Sequence, residues 1–262
     1  MTTAILYICT GLYSQFFKGF YESSEKYLLQ KSEKHYFVWT DDDHLADGLP
    51  NVTLFHKECA GFPADSLFRF EMFMQAEDEL KKFDYIYFFN ANAMFVHPVN
   101  DEILPDETGL SMSVWPQQYK RHPMFYPYER NKKSLAYVAP YGYYYYYAGG
   151  FINGGARDAY LAMIRTLSAN IRDDYNRGII AKVHDESHIN AYLRTHPCKR
   201  FEGRDLCLPE EWIRPGEDPK IILRDKVRIN PYFNKGRKSG LVAKGKKAFL
   251  MLWNAFRWYA KI

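Results

Sequence analysis

Long apolar runs are missing from this sequence. No stretch reaches the roughly 18–20 consecutive apolar residues that a membrane-spanning helix needs, so the 262-residue chain is not read as an integral membrane protein. Cysteine is scarce as well. Cys9, Cys59, Cys198 and Cys207 form no C-x-x-C pair and show no zinc spacing, which argues against a disulfide scaffold and a structural zinc site. Reduced thiols are expected. Met1-Thr2-Thr3 runs straight into an apolar strand with no signal-peptide pattern, and a cytoplasmic protein is expected. Acidic residues are absent from the C-terminal region, which is rich in basic ones: residues 235–262 hold Lys235, Arg237, Lys238, Lys244, Lys246, Lys247, Arg257 and Lys261 but no Asp or Glu. The overall charge of +4 therefore hides a body of 27 basic against 31 acidic side chains, net −4, joined to a basic tail. That distribution excludes a nucleic-acid-binding domain, and no nucleic-acid partner is expected.

Aromatics are abundant, with 22 Tyr, 19 Phe and 5 Trp. Such side chains fill cores, and tyrosine also stacks on sugars and nucleobases. The length fits one large domain or two small ones. Residues 4–10 read as a buried strand, broken by Gly11 and followed by helical spacing from Tyr13 to about Lys31. Strands are expected at 35–39 and 52–56, separated by the acidic turn Thr40-Asp41-Asp42-Asp43. A helix is expected from about Asp65 to Lys82 with Asp65 as its N-cap. Residues 84–89 are apolar after the first, as suits a central parallel strand buried on both faces. This alternation argues for an α/β fold with a mostly parallel sheet. Ligands in such sheets bind beyond the carboxyl ends of the strands, where Thr10 to Tyr13 and Asn90-Ala91-Asn92 lie. Tyr143 to Tyr147 are five consecutive tyrosines that cannot all be core. Further helices are expected at 157–170 and 187–194.

His184-Asp185-Glu186-Ser187-His188 carries four ionisable side chains in five residues. Asp185 is a candidate cap for the helix that follows, and Glu186 would project from its entrance, where a carboxylate suits a reacting cationic centre. A plain capping turn is the alternative. His184 and His188, four apart, have the spacing of paired zinc ligands. However, Asp185 rather than Glu follows the first, and no third ligand is evident. A zinc hydrolase is therefore a remote reading, and the histidines are expected to hydrogen-bond within the site.

Several motifs together resemble family six glycosyltransferases, the group of the histo-blood-group A and B transferases and the α-1,3-galactosyltransferases. His184-Asp185-Glu186-Ser187-His188 with Asn190 and Tyr192 is similar to that family's HDESHLNKY. Tyr146-Tyr147-Ala148-Gly149-Gly150-Phe151 with Gly154-Gly155 looks like YYLGGFFGG, and Tyr128-Glu129-Arg130 matches YER. Arg69, Glu71 and Met72 match RRMEM, and Tyr13 with Ser23-Ser24-Glu25-Lys26 aligns with the first helix. These cover roughly residues 5–230 in matching order; one short motif would be weak. The resemblance implies a GT-A fold over 1–235, with 236–262 as a separate basic amphipathic tail, and retaining transfer from a UDP-sugar to the 3-position of galactose. It makes Glu186 the carboxylate facing the anomeric carbon, as nucleophile or as stabiliser of an oxocarbenium-like centre. Asp185 would hold sugar hydroxyls. Arg69 would reach the sugar or the Asn90 loop, its alternative being an ion pair with Glu71 or another acid. Ile8, Thr10 and Tyr13 align with uridine-binding positions. Ala148, Gly149 and Gly150 occupy the donor-selecting segment, where small residues leave room for an N-acetyl group and point to UDP-GalNAc over UDP-Gal.

Asn90-Ala91-Asn92 departs from the Asp-X-Asp of the vertebrate members, whose carboxylates hold Mn²⁺. Asparagine offers an oxygen without charge, and hard cations prefer carboxylates. Metal-independent catalysis without a divalent cofactor is expected, a dead enzyme being the alternative; the family's bacterial branch also carries Asn-X-Asn. Lys226, Arg228, Lys235 and Arg237 are the candidate cations for the leaving diphosphate, Lys226-Val227-Arg228-Ile229 resembling the family's KLRF. The expectation is a bacterial α-1,3-N-acetylgalactosaminyltransferase acting on a fucosylated galactoside such as 2′-fucosyllactose. A galactosyltransferase and a non-catalytic carbohydrate-binding protein are the rivals. In the tail, Phe249, Leu252, Trp253 and Phe256 share one helix face, and Lys247, Asn254, Arg257 and Lys261 share another. This pattern suits an interfacial helix on anionic lipid at the inner face of a bacterial inner membrane, or a final helix packed on the body.

Overall fold

The structure, a computed structural model, describes residues 1–116, 121–141, 146–202, 204–233 and 241–260. Strand β1 (Thr2–Ile8) leads through a 3₁₀ turn into helix α1 (Phe17–Tyr27), followed by β2 (Glu33–Thr40) and β3 (Val52–His56). The expected long helix after β3 is three short ones, α2 (Ala64–Leu67), α3 (Arg69–Met74) and α4 (Glu77–Leu80). The helical backbone lapses at Phe68 (ψ 18°) and Ala76 (ψ 14°), and each new turn starts there. Asp65 is not the N-cap; Pro63 holds that position. Then come β4 (Tyr85–Phe89), β5 (Ala93–Phe95), β6 (Leu110–Val114) and β7 (Ala148–Ala156). Helices α5 (Arg157–Asn176) and α6 (His184–Tyr192) follow, and α6 starts three residues before the expected Ser187. Strands β8 (Lys199–Phe201), β9 (Cys207–Pro209) and β10 (Ile221–Leu223) precede α7 (Lys226–Ile229) and α8 (Leu241–Tyr259).

The main sheet has seven strands in the order β3-β2-β1-β4-β7-β6-β8. β1, β2, β3 and β4 run parallel, β7 is antiparallel to both neighbours, and β8 is parallel to β6. This is the expected GT-A-like α/β arrangement. Side chains alternate between the faces of a strand, and the core divides accordingly. Leu6, Phe37, Trp39 and Phe88 pack with α3 and α5 on one face; Ile5, Tyr7, Val38 and Phe89 pack with α1 on the other. The second face also meets a small sheet, β5-β10-β9, through Phe95, Cys207, Ile221 and Leu223. Among the described residues no helix is long and apolar enough to cross a membrane.

β4 and β7 meet closely because β7 carries glycine where β4 carries bulk. Gly154 pairs with Tyr87, and a Cβ added to Gly154 would lie 2.2 Å from Tyr87 Cδ1 and 2.5 Å from the Ile86 carbonyl oxygen. Backbone cannot yield as a flexible side chain would. Gly154→Ala is therefore expected to destabilise the protein by roughly 2–3 kcal/mol, read as a fall in Tm of several degrees by differential scanning fluorimetry.

Candidate active site

The ends of β1 and β4, the start of β7 and the first turn of α6 converge on one region. Ile8, Thr10, Tyr13, Asp65, Arg69, Asn90 and Ala91 line a cavity of about 280 Å³ there. A second cavity of about 460 Å³ is lined by Asn92, Trp115, Glu211, Trp212 and Asp225 among others. Tyr13, Asn90 and Lys226 line both, so the two adjoin. The expected site residues at strand ends are thus brought together.

Asp185 and Glu186 sit behind this junction, 4% and 8% exposed. Both Gly150 N–H (2.7 Å) and Trp115 Nε1–H (2.9 Å) donate to Glu186 Oε2. Burial pushes the Glu186 carboxyl up to about 7, with Asp185 adding to the rise and the two donors opposing it. Asp185 is not the helix cap. Val183 is the N-cap residue and provides no side-chain hydrogen bond; Asp185 lies inside the first turn and turns toward Arg69. Burial raises its pKa as well, and Arg69 opposes that rise. Arg69 Nε lies 3.1 Å from Asp185 Oδ2, yet neither atom makes an aligned hydrogen bond although both are buried. Arg69 also donates to the Gly150 carbonyl oxygen at 2.7 Å and lies over the Phe88 ring. Its ion-pair partner is therefore Asp185, while Glu71 pairs with Arg172. Gly150 ties these groups together. A Cβ there would come within 3.3 Å of Asp185 Oδ2 and 3.4 Å of Glu186 Oε2, so a side chain would press on both carboxylates. A buried carboxyl with a raised pKa, beside an unaligned acid–guanidinium pair, suits charge stabilisation and recognition of hydroxyls.

Other candidates fall elsewhere. Ala148 is fully buried in the core, its backbone N–H and carbonyl both bonded to the Asn190 side chain, and it lines neither cavity. Gly149 has no free space beside it, since an added Cβ would meet the Phe151 ring at 2.1 Å. Lys226 reaches the site, its Nζ donating to the Tyr13 hydroxyl at 3.1 Å. Arg228 does not: its side chain is 75% exposed and pairs with Glu210. Lys235 and Arg237 lie outside the described residues, as do Tyr143 to Tyr145. The histidines do not hydrogen-bond within the site. His188 is buried with Nε2 3.6 Å from Asp174 Oδ2 on α5, and His184 packs edge-on against Phe62. Among the described residues, no three His, Cys, Asp or Glu side chains form a metal-holding group.

Asn90 and Asn92 do not fit a divalent cation. Asn90 Nδ2 donates to Asn92 Oδ1 at 2.8 Å, and Asn92 Nδ2 donates to the Arg224 carbonyl oxygen at 2.8 Å. Both ends of the Asn92 amide are spent, and neither residue supplies the negative charge a hard cation seeks.

Sequence reasoning missed Trp115, Trp212, Glu211, Asp225 and the cavity-lining role of Asp65. Asp65 accepts from the Thr10 hydroxyl (3.0 Å), Gly61 N–H (2.8 Å) and Lys57 Nζ (3.0 Å). Trp115, 71 positions from Glu186, carried no signal in the sequence that linked the two.

The Glycosyltransferase family 6 model matches residues 1–215. The chain is 34% identical over 240 residues to the O-antigen biosynthesis glycosyltransferase WbnI of Escherichia coli, covering 89% of this chain and 99% of that protein. It is 27% identical to globoside alpha-1,3-N-acetylgalactosaminyltransferase 1 of Homo sapiens, over 74% of this chain and 57% of that one. It is 30% identical to histo-blood group ABO system transferase 1 of Rattus norvegicus, over 70% of this chain and 54% of that one. The chain thus spans little more than half the length of these animal relatives.

Two outcomes follow from the buried glutamate. Because folding raises its pKa above the ordinary 4.5, the stability it contributes is complete below about pH 4.5 and is lost as pH rises through about 7. Glu186→Gln keeps an oxygen for both donors and removes the charge; it is expected to stabilise the protein by roughly 2–3 kcal/mol at pH 8 and by little at pH 4.5, measured as Tm against pH. Trp115→Phe removes one donor to the ionised form, so the acidic limb of kcat/KM should move up by about one pH unit. An unmoved limb would mean that the indole does not tune Glu186.

Proposed function

The chain belongs to glycosyltransferase family 6, and we propose that it is a retaining α-1,3-N-acetylgalactosaminyltransferase that moves GalNAc from UDP-GalNAc to a galactose carrying an α-1,2-linked fucose. The observation that carries the reading is Glu186, a desolvated carboxyl held by two N–H donors, one of them from Trp115, which lines the second cavity. The first cavity, with Thr10, Tyr13 and the β4 end, takes the nucleotide. The second, with Trp115 and Trp212, takes the acceptor, whose apolar sugar face stacks on indole. The unaligned Asp185–Arg69 pair receives donor hydroxyls.

In the reaction, the bond from the anomeric carbon to the β-phosphate oxygen breaks, and its electron pair leaves with UDP. The acceptor 3-hydroxyl oxygen bonds to that carbon, and its proton passes to the departing phosphate. Glu186 acts on the opposite face, as nucleophile in a double displacement or as a stabiliser of the positive centre. It must be ionised for either role, so activity rises with pH through about 7. Lys226 supplies positive charge to the departing diphosphate in place of a divalent ion. The human relative, an alpha-1,3-N-acetylgalactosaminyltransferase, supports the donor, and the E. coli relative supports a role in O-antigen biosynthesis.

The test is transfer to 2′-fucosyllactose from UDP-GalNAc or UDP-Gal in EDTA, followed by UDP release and product mass. A GalNAc increment is expected in EDTA, with at least a hundredfold loss in Glu186→Gln. Transfer that needs Mn²⁺ would overturn metal independence, and a preference for UDP-Gal would overturn the donor. Sugar binding without UDP release from either donor would overturn catalysis itself.

A further inference from the structure

The last helix is built in three stripes. Ala255 and Trp258 are buried, Trp258 donating its Nε1–H to the Val138 carbonyl oxygen at 2.7 Å and packing with Tyr126, Tyr128 and Tyr147. Helical residues advance by about 100° each, so the side opposite this docked stripe carries Trp253 and Phe256. These are 50% and 57% exposed, with Leu250 and Leu252 exposed beside them. Between the two stripes lie Asn254 and Arg257, which line a cavity of about 340 Å³. Its other walls include Arg130, Lys132, Lys182 and Glu129. The one carboxylate among them is held in place, Glu129 accepting from the backbone N–H of Asn131 and Lys182, both at 2.7 Å. Four cations surround it.

Tip, flank and dock thus differ in chemistry around one helix. A soluble chain gains nothing from an apolar ridge of two Trp/Phe and two Leu side chains held away from its own body. A bilayer surface matches every part of it. The ridge enters the acyl boundary, tryptophan sits at headgroup level, and the adjoining cation-lined cavity meets lipid phosphate. Charge selects the lipid: residues 235–262 contain eight basic and no acidic residues, against a net −4 body that an anionic surface would repel. We propose that α8 is a monotopic docking helix that holds this protein on an anionic phospholipid surface. Trp253 and Phe256 insert, and Arg257, which lines the cavity, meets a phosphate headgroup. The inference stands apart from the transfer reaction, since neither cavity of the active site contributes to it.

The test uses the full chain and co-sedimentation with vesicles of phosphatidylcholine alone or with about 30% phosphatidylglycerol. Binding is expected with phosphatidylglycerol and weak without it. Trp253→Ser with Phe256→Ser should reduce it roughly tenfold or more. Arg257→Glu, at an exposed position, should reduce it by about fivefold or more, with unchanged Tm and unchanged transfer to soluble acceptor. Equal binding to both vesicle types, or no binding to either, would overturn the proposal. So would a concentration-dependent dimer in solution that the Trp253→Ser, Phe256→Ser variant abolishes, because the ridge would then belong to a second copy.

Discussion

A carboxylate taken out of water is costly unless hydrogen bonds or a cation replace its hydration, and positions 185 and 186 place two of them side by side. The replacement differs for each. Glu186 receives two N–H donors on one oxygen, whereas Asp185 receives a guanidinium at ion-pair distance without alignment. One is held by aligned donors with its pKa raised to about 7; the other faces its cation without an aligned bond. Both depend on the missing side chain of Gly150, whose N–H serves Glu186 and whose carbonyl serves Arg69. The position of β7 between β4 and β6 is therefore what aligns the catalytic turn with the sheet.

The surrounding parts are placed by the ends of that sheet. Parallel β1 and β4 end side by side and deliver Thr10 and Asn90 to one cavity wall. Helix α7 returns from more than two hundred residues later to set Lys226 against Tyr13, with Asp225 capping it by accepting from Val227 and Arg228 N–H. A cation at the end of such a long connection is positioned by a short capped turn and an aromatic contact, not by the core.

The α/β alternation was legible because strands β1 to β4 are short apolar runs, with helical spacing after β1 and after β3 and an acidic turn between β2 and β3, and each was found within two residues of its expected ends. The break of the 65–82 region was not legible, since apolar periodicity continues smoothly across Phe68 and Ala76 while the backbone does not. The turn at 184–188 stood out in the sequence as a cluster of ionisable residues. Its partners were less legible: Arg69 lies 116 positions from Asp185, and Trp115 lies 71 from Glu186, in a region whose composition reads as loop. Ala148 was expected in the donor-selecting segment because of the resemblance of residues 146–151 to the family's YYLGGF. Strand geometry and the Asn190 amide turn it into the core instead. A final helix packed on the body was one of the two readings of the tail, but which residues dock was not legible because the partners of Trp258 sit in the tyrosine-rich 126–147 segment.

The amide chain from Asn90 through Asn92 to the Arg224 carbonyl has a consequence for single substitutions. A carboxylate at 92 would set two acceptors against that carbonyl, and one at 90 would meet Asn92 Oδ1 with like polarity. The two positions are therefore coupled: changing either amide alone to a carboxylate leaves an acceptor facing an acceptor, so a single substitution gives a poorly bonded loop.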